Sequence, residues 1–235
     1  MKAYTFREIT GKKELEEFFR LRYEVYLNSA NKPFLKENIH RLDIDYFDVH
    51  AKHYCLMHGD NKVGYFRAVY QKDQYFNENV IETGEKFGLL DRKTFLEQNE
   101  TAPFPFLSYE GVPESHWNFY YNLLEQDENM AEVSRIIVSP EYRAISTVKL
   151  LVECAIVLYA MTFARLRYAI VNCELLHGLF YTHYGFKEID EAARYTVNGL
   201  KKTSLSITEI PEKFIGKIGI MAEEFKNTGK IERAI

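Results

Sequence analysis

Charged residues occupy positions that the sequence pattern places inside the protein. Arg22 falls in the apolar stripe of a predicted helix. Arg67, Glu132 and Arg135 fall in predicted strands that are otherwise largely apolar. Burying such groups without a partner is costly. The nearest partners for the arginines are three aspartates in one short segment, Asp43, Asp45 and Asp48. We therefore expect a network of arginines and carboxylates. The alternative is a solvated acidic loop whose arginines extend into water.

The elements that position these residues follow from hydrophobic periodicity. A helix is predicted over 14–28, and later helices follow Ser146 and end near Gly185. Strand formers predict strands over 3–9, 53–58, 62–70, 133–138, 168–173, 193–197 and 200–207. Because a helix separates 133–138 from 168–173, we expect these two strands to pair in parallel. The order predicts an α/β protein of the α+β type, with a central mixed, twisted sheet of about six to seven strands flanked by helices.

The chain length is compatible with one main domain. We expect this domain over residues 1–210, followed by a C-terminal surface helix and tail over 211–235. Residues 71–129 form an irregular insertion within the domain, and their many aromatic residues argue against disorder. The insertion is expected either to line a pocket for an apolar ligand or to form an extra helical layer over the sheet.

Composition limits the class of protein. A net charge of −4 over 235 residues argues against general nucleic-acid binding. The three cysteines lie far apart in apolar runs, as is typical of reduced, buried thiols rather than of disulfides or a metal site. The N-terminus lacks an apolar signal region, and the most apolar stretch, 147–164, contains Lys149 and Glu153. We therefore expect a cytoplasmic protein that is not an integral membrane protein and binds no metal.

Four short motifs occur in order along the predicted elements. They are residues 22–26 (RYEVY), 43–48 (DIDYFD), 64–67 (GYFR) and 132–135 (EVSR). This succession resembles the acyl-homoserine-lactone (autoinducer) synthases and their relatives, the N-acyl amino acid synthases and the exosortase-associated acyltransferases. Residues 138–143 (VSPEYR) and 180–186 (FYTHYGF) are similar to the general pattern of GNAT acyltransferases. The resemblance spans about residues 22–186 and implies the GNAT fold.

The resemblance implies the direct transfer of an acyl group from a thioester to an amine. Glu132 would take the amine proton as general base, with Asp45 as the alternative base. The backbone N–H groups of residues 136–138, which are Ile136, Ile137 and Val138, would polarise the thioester carbonyl. Tyr181 would protonate the leaving thiolate; the alternative is an ordinary packing residue.

Other charged and polar residues of the motifs would shape the acceptor site. The substrate-binding candidates are Arg22, Arg67, Arg135, Asp43, Asp48 and Ser134. The arginines would either order the acidic loop or grip the carboxylate of an amino-acid acceptor. The serine would bond to the amide arm of the thioester.

The expected donor is acyl-ACP, through its phosphopantetheine arm, or acyl-CoA. GNATs that use acetyl-CoA bind its pyrophosphate with a glycine-containing loop at a helix N-terminus. The equivalent segment here, 143–148 (RAISTV), contains no glycine. Its cofactor-binding candidates are Arg143, Ser146 and Thr147. A single phosphate demands less of such a loop, so acyl carrier protein is an expected partner beside the small-molecule amine.

Two departures distinguish the chain from the lactone-forming synthases. Residues 27–31 (LNSAN) lack the tryptophan expected there, and the insertion before the fourth motif is long. Both favour transfer of a medium- or long-chain acyl group to an amino acid or a related small amine. The alternatives are an acetyl-CoA-dependent acetyltransferase and a non-catalytic GNAT scaffold that binds acyl carrier protein or a lipid-like ligand.

Overall fold

A computed structural model describes residues 3–93, 102–162, 166–192 and 194–235. Its strands are β1 (Tyr4–Glu8), β2 (Ala51–His58), β3 (Asn61–Val69), β4 (Met130–Val138), β5 (Tyr168–Glu174), β6 (Lys187–Glu188), β7 (Tyr195–Val197), β8 (Leu200–Ile207) and β9 (Lys230–Arg233). Its helices are α1 (Lys12–Leu27), α2 (Glu78–Lys86), α3 (Glu114–Glu125), α4 (Ile145–Thr162), α5 (Leu175–Thr182) and α6 (Glu212–Thr228).

The strands form one mixed sheet. Their order is β6-β8-β5-β4-β3-β2-β1-β9, and β7 pairs with β8. The expected parallel pair is present between β4 and β5, whereas the other pairs are antiparallel. The predicted α/β class is confirmed. The predicted strand number is too low, because the described residues contain nine strands.

The two unpredicted strands are short and lie at the edges of the sheet. β6 has two residues and β9 has four, too few for a clear alternation of apolar and polar positions. Helix α6 ends at Gly229, whose φ of 70° is readily adopted by glycine. The chain then turns back so that β9 pairs with β1 and buries Ile231.

The two faces of the sheet are covered by different elements. Helices α4 and α6 cover one face, where the largest apolar cluster lies. Helices α1 and α2 cover part of the other face, and the described part of the insertion covers the rest through Phe104, Phe106 and α3. The charged residues of the motifs lie on this second face.

Strand β4 lies at the centre of the sheet, yet one of its edges is open over half its length. Its parallel pairing with β5 runs from Met130 opposite Tyr168 to Val133 opposite Val171 and ends there. Pairing with β3 continues up to Val138. Among the described strands, none pairs with the β5-facing edge of β4 beyond Val133.

Strand β4 also contains a β-bulge. Tyr65 lies opposite Ile137 but Arg67 lies opposite Ser134, so Phe66 faces two residues of β4. Arg135, within the bulge, has a φ of 55°, which is uncommon for a residue other than glycine. The extra residue allows Ser134 and Arg135, although adjacent, to join the same charge network: Ser134 accepts a hydrogen bond from Arg67, and Arg135 donates one to Asp45.

Candidate active site

The predicted network of arginines and aspartates is present and centres on Arg22. This side chain is completely buried on α1. Its Nη2 lies 2.9 Å from Asp43 Oδ2, and its Nη1 lies 2.6 Å from Asp48 Oδ1. Arg22 also donates to the Tyr65 hydroxyl at 2.9 Å, which lies 2.6 Å from His53 Nδ1. Arg22 therefore lies on the buried side of the acidic loop, where it contacts two of the loop's carboxylates.

The acidic loop is shaped by its own hydrogen bonds. Asp45 caps the 3-10 turn Tyr46–His50 and accepts a hydrogen bond from Phe47 N–H at 2.9 Å. Asp48 in return accepts one from Asp45 N–H at 2.9 Å, which completes a capping box. This local geometry presents the two carboxylates to the arginines of the sheet.

Asp45 is the member of the loop that faces the open side of the network. Its carboxylate lies 2.5 Å from Arg67 Nη1 and 3.0 Å from Arg135 Nη2. The side chain of Asp45 is 28% exposed, whereas that of Asp48 is inaccessible. Burial alone would raise the pKa of Asp45, but the positive charges of Arg67 and Arg135 outweigh it and lower that pKa. Asp45 is therefore an anion and a weak base.

Glu132 is buried in a different environment. It is 1% exposed, and its Oε2 accepts a hydrogen bond from Phe106 N–H at 2.8 Å. Burial raises the pKa of Glu132 to about 8, although the Phe106 N–H and the charge of Arg67 partly oppose this. Near neutral pH the carboxyl group of Glu132 is therefore mainly protonated, with a minor ionised fraction. A general base benefits from such a pKa.

These groups surround a polar cavity of about 130 Å³. Five of the residues that line it belong to the sequence motifs: Asp45, Arg67, Glu132, Ser134 and Arg135. The cavity has room for several water molecules or for a small polar molecule. A larger groove of about 520 Å³ shares Asp45 and Arg135 and extends along residues 88–91.

The insertion contributes a wall of this cavity. Pro105, Ser108 and Tyr109 line it, and the neighbouring Phe106 holds Glu132 through its backbone. Phe106 itself is buried in an apolar cluster between the sheet and α3. The described part of the insertion thus both covers the sheet and fixes the orientation of Glu132.

Other residues of the cavity wall were not predicted from the sequence. Asn172 on β5 and Lys202 on β8 line it, as do Tyr26, Phe34 and Tyr109. After its first residue, Tyr168, the strand 168–173 contains one uncharged polar residue, Asn172, among apolar ones. That interruption is a sequence signal that could have been noticed. Lys202 gives no such signal, because it lies in a polar run after a turn.

Tyr181 does not lie in the polar cavity. It lines a small apolar cavity of about 20 Å³ together with Val133, Ile136 and residues of α4. Burial raises the pKa of Tyr181, so its hydroxyl stays protonated over the physiological range. Tyr181 and Glu132 therefore lie on opposite sides of the sheet, and the open edge of β4 lies between them.

The predicted cofactor-binding residues lie near the end of β4. Arg143 donates from Nε to the carbonyl oxygen of Val138 at 3.2 Å. Ser146 is exposed in the first turn of α4, and Thr147 is buried there. The backbone of residues 136–138 lies beyond the last β4–β5 pair. This region is separate from the polar cavity but adjoins the same open edge.

Comparison with known proteins supports the fold. A family model described as an acetyltransferase (GNAT) domain matches residues 21–102. A comparison with curated protein sequences gave no significant match. The match to this family model and the sheet topology together define the class: the chain has the fold of the GNAT acyltransferases.

Particular solved structures resemble the chain over most of its length. FeeM, an N-acyl amino acid synthase from uncultured soil microbes, is 12% identical with a TM-score of 0.52, covering 88% of this chain and 92% of that one. The acyl-homoserine lactone synthase LasI is 13% identical with a TM-score of 0.57, covering 93% and 96%. BjaI, a CoA-dependent acyl-homoserine lactone synthase with SAM and isopentyl-CoA, is 14% identical with a TM-score of 0.56, covering 92% and 90%. The resemblance stated from the motifs is confirmed at the level of the fold.

Two observations concern the described residues alone. Within them, no helix is both long enough and apolar enough to cross a membrane. No group of three or more His, Cys, Asp or Glu side chains there is arranged to hold a metal ion.

Proposed function

We propose that the protein is an N-acyltransferase that moves a medium- or long-chain acyl group from a thioester to the amine of an amino acid or a related small molecule. The observation that carries this proposal is the position of Glu132. A buried carboxyl group with a pKa of about 8 lines a polar cavity beside the open edge of a GNAT β4 strand.

Glu132 is the general base of the proposed reaction. The attacking nitrogen must be a neutral amine, and it must lose a further proton once its bond to the carbonyl carbon has formed. Glu132 is preferred over Asp45 for this role, since Asp45 is tied to Arg67 and Arg135 as a stable anion. Phe106 N–H fixes the Glu132 carboxyl group, which limits its motion before the transfer.

The open edge of β4 receives the thioester. Backbone N–H groups there would stabilise the oxyanion that develops on the carbonyl oxygen. When the tetrahedral intermediate collapses, the carbon–sulfur bond breaks and the sulfur takes up a proton. Tyr181, which burial keeps protonated on the far side of β4, is the candidate donor of that proton.

Acyl-CoA and acyl-ACP are the two donors that the proposal includes. Arg143, Ser146 and Thr147 are the proposed contacts to donor phosphate at the start of α4. Acyl carrier protein is a proposed partner, and a cytoplasmic location follows from either donor. Buried free thiols, present at Cys55, Cys154 and Cys173, are compatible with a reducing compartment.

The proposal is tested by product analysis. Lipids extracted from cells that overproduce the wild type are compared by mass spectrometry with those from cells that overproduce Glu132→Gln. An N-acylated amine that appears with the wild type and disappears with the variant is expected. Glu125→Gln, an exposed residue on α3, is the matched control and should retain the product.

The purified protein then separates the donors. Release of free thiol from decanoyl-CoA and from decanoyl-ACP is measured with the same amine, and the ratio of kcat/KM identifies the preferred donor. A wild type that yields no N-acylated product in cells and turns over neither thioester contradicts the proposal.

A further inference from the structure

Lys202 is a buried cation on the wall of the polar cavity. It is the third residue of β8 and is 7% exposed. Its Nζ lies 4.6 Å from the centroid of the Phe34 ring, which also lines the cavity. Phe34 lies in a short 3-10 turn after α1, so the ammonium group is enclosed by a segment distant in sequence.

Lys202 forms no close ion pair with the carboxylates around it. The three arginines of the cavity region are matched by the three aspartates of the acidic loop. Among the described residues, no carboxylate forms an ion pair with Lys202 within 4.0 Å. The carboxylate of Glu174, which lies opposite Lys202 on β5, is beyond that distance, and the positive charge of Arg135 acts against it. Glu132 contributes little negative charge while it is protonated. The residues that line the cavity therefore include three cations, Arg67, Arg135 and Lys202, against the two carboxyl groups of Asp45 and Glu132.

The arginines are already paired with aspartates, Arg135 through its Nη2, which lies 3.0 Å from Asp45 Oδ2. Arg22 is enclosed by Asp43, Asp48 and Tyr65. Arg67 is occupied by the two aspartates Asp45 and Asp48 and by Ser134. A buried, unpaired ammonium is costly unless a ligand pairs with it. Burial accordingly lowers the pKa of Lys202, and a bound anion would reverse that effect.

The positions of Lys202 and Glu132 suit a molecule that carries both an acid and an amine. Both side chains line the same cavity, from strands that flank β5 on opposite sides. Glu132 lies opposite Ile170 of β5 and Lys202 lies opposite Glu174, so the two residues are offset by four positions along β5 as well as by two strand spacings of about 4.8 Å. A molecule that fills the cavity they share contacts both side chains.

We infer that Lys202 binds the carboxylate of an amino-acid acceptor and thereby directs its amine towards Glu132. This inference rests on the proposed acyl transfer, and it names the acceptor as an amino acid with a free carboxylate. Lys202 acts through the position of the acceptor, so its loss should raise KM more than it lowers kcat.

The test compares each L-amino acid with its own carboxamide, using the thioester that the wild type turns over. Lys202→Met removes the charge and keeps an unbranched side chain. Lys201→Met is the matched control, because Lys201 is exposed on the neighbouring position of the same strand. Loss of one charge-assisted hydrogen bond should raise KM for the amino acid by about 10- to 100-fold in Lys202→Met. KM for the carboxamide should not change, and Lys201→Met should match the wild type.

The wild type is expected to prefer the free amino acid to its carboxamide. The basicity of the two amines works against this preference, which makes the test stringent. The amine of a carboxamide is less basic than that of the free amino acid, so it provides more neutral nucleophile. A wild type that uses both compounds equally, or a Lys202→Met variant that keeps the wild-type preference, overturns the inference. Lys202→Gln is measured as well, so that a folding defect of one variant does not decide the result.

Failure of the proposed reaction gives a different result. If the wild type acylates no amine, calorimetric titration with the same L-amino acids decides the role of Lys202. Binding that disappears in Lys202→Met and persists in Lys201→Met supports the anion site. The absence of binding to the wild type overturns it.

Discussion

Replacing Glu132 by Gln separates the catalytic role of this residue from its role in packing. Glutamine has nearly the same shape, and its side-chain oxygen can still accept the hydrogen bond from Phe106 N–H. It can neither take up a proton nor carry a negative charge. The variant should therefore fold like the wild type and lose the general base.

The stability difference between the two proteins should depend on pH. Burial raises the pKa of Glu132 from 4.5 to about 8, so the folded protein retains a proton that the unfolded chain releases in this range. The contribution of the group to stability is fully present below pH 4.5, falls as the pH rises and levels off above about 8. At about 1.4 kcal/mol per pKa unit, the cost of ionising Glu132 in the folded protein approaches roughly 4 to 5 kcal/mol.

Urea unfolding of both proteins at about pH 5 and about pH 9 measures this difference. The variant should be about as stable as the wild type at the lower pH and more stable by several kcal/mol at the higher pH. The activity of the variant should be lower than that of the wild type by about 100-fold or more at both pH values. Other ionisable groups are common to both proteins and cancel in the comparison. Parallel pH profiles of stability would refute the conclusion that Glu132 is buried in its protonated form.

Three further outcomes are expected. Arg22→Met should destabilise the protein by about 3 to 5 kcal/mol in chemical unfolding, because it leaves Asp43 and Asp48 buried without their partner; the exposed Arg20→Met is the control, expected to cost less than about 1 kcal/mol. Gly229→Ala should lower the free energy of unfolding by about 1 kcal/mol, because φ at this position is 70° and the added methyl group meets no neighbour that would compensate. An unchanged unfolding midpoint would contradict this prediction. The native protein should not react with a thiol reagent at about pH 8, because burial raises the pKa of Cys55 and Cys173 to about 12 and also raises that of Cys154 well above its usual value. All three thiols should react after denaturation, and rapid reaction of the native protein would show that these residues are accessible.

The charge network could be predicted because buried charges require partners. Arg22 interrupts an apolar stripe, and the acidic segment 43–48 provides the matching carboxylates. The structure joins them through hydrogen bonds that fold the acidic loop onto α1 and β3. The parallel pairing of β4 with β5 could also be predicted, since a helix connects these two strands.

The remaining features depend on contacts that no local pattern reveals. Lys202 enters the cavity only because β8 joins β5 and Phe34 folds over it from another part of the chain. The hydrogen bond between Phe106 and Glu132 requires the insertion to fold back onto β4. Strict alternation along β4 would place Ser134 and Arg135 on opposite faces, whereas the bulge places both on the same face.

The bulge has a consequence for how this strand can change in length. Val133, Ile136 and Val138 contact the apolar cluster beneath α4, whereas Ser134 and Ile137 face the other way. Omitting Arg135 from this series leaves a strand of regular alternation in which every other side chain keeps its present face. Arg135 is thus an addition to a complete strand. It brings a charge to Asp45 without displacing any residue of the apolar core, and a chain that lost this single residue would retain both the sheet and Glu132.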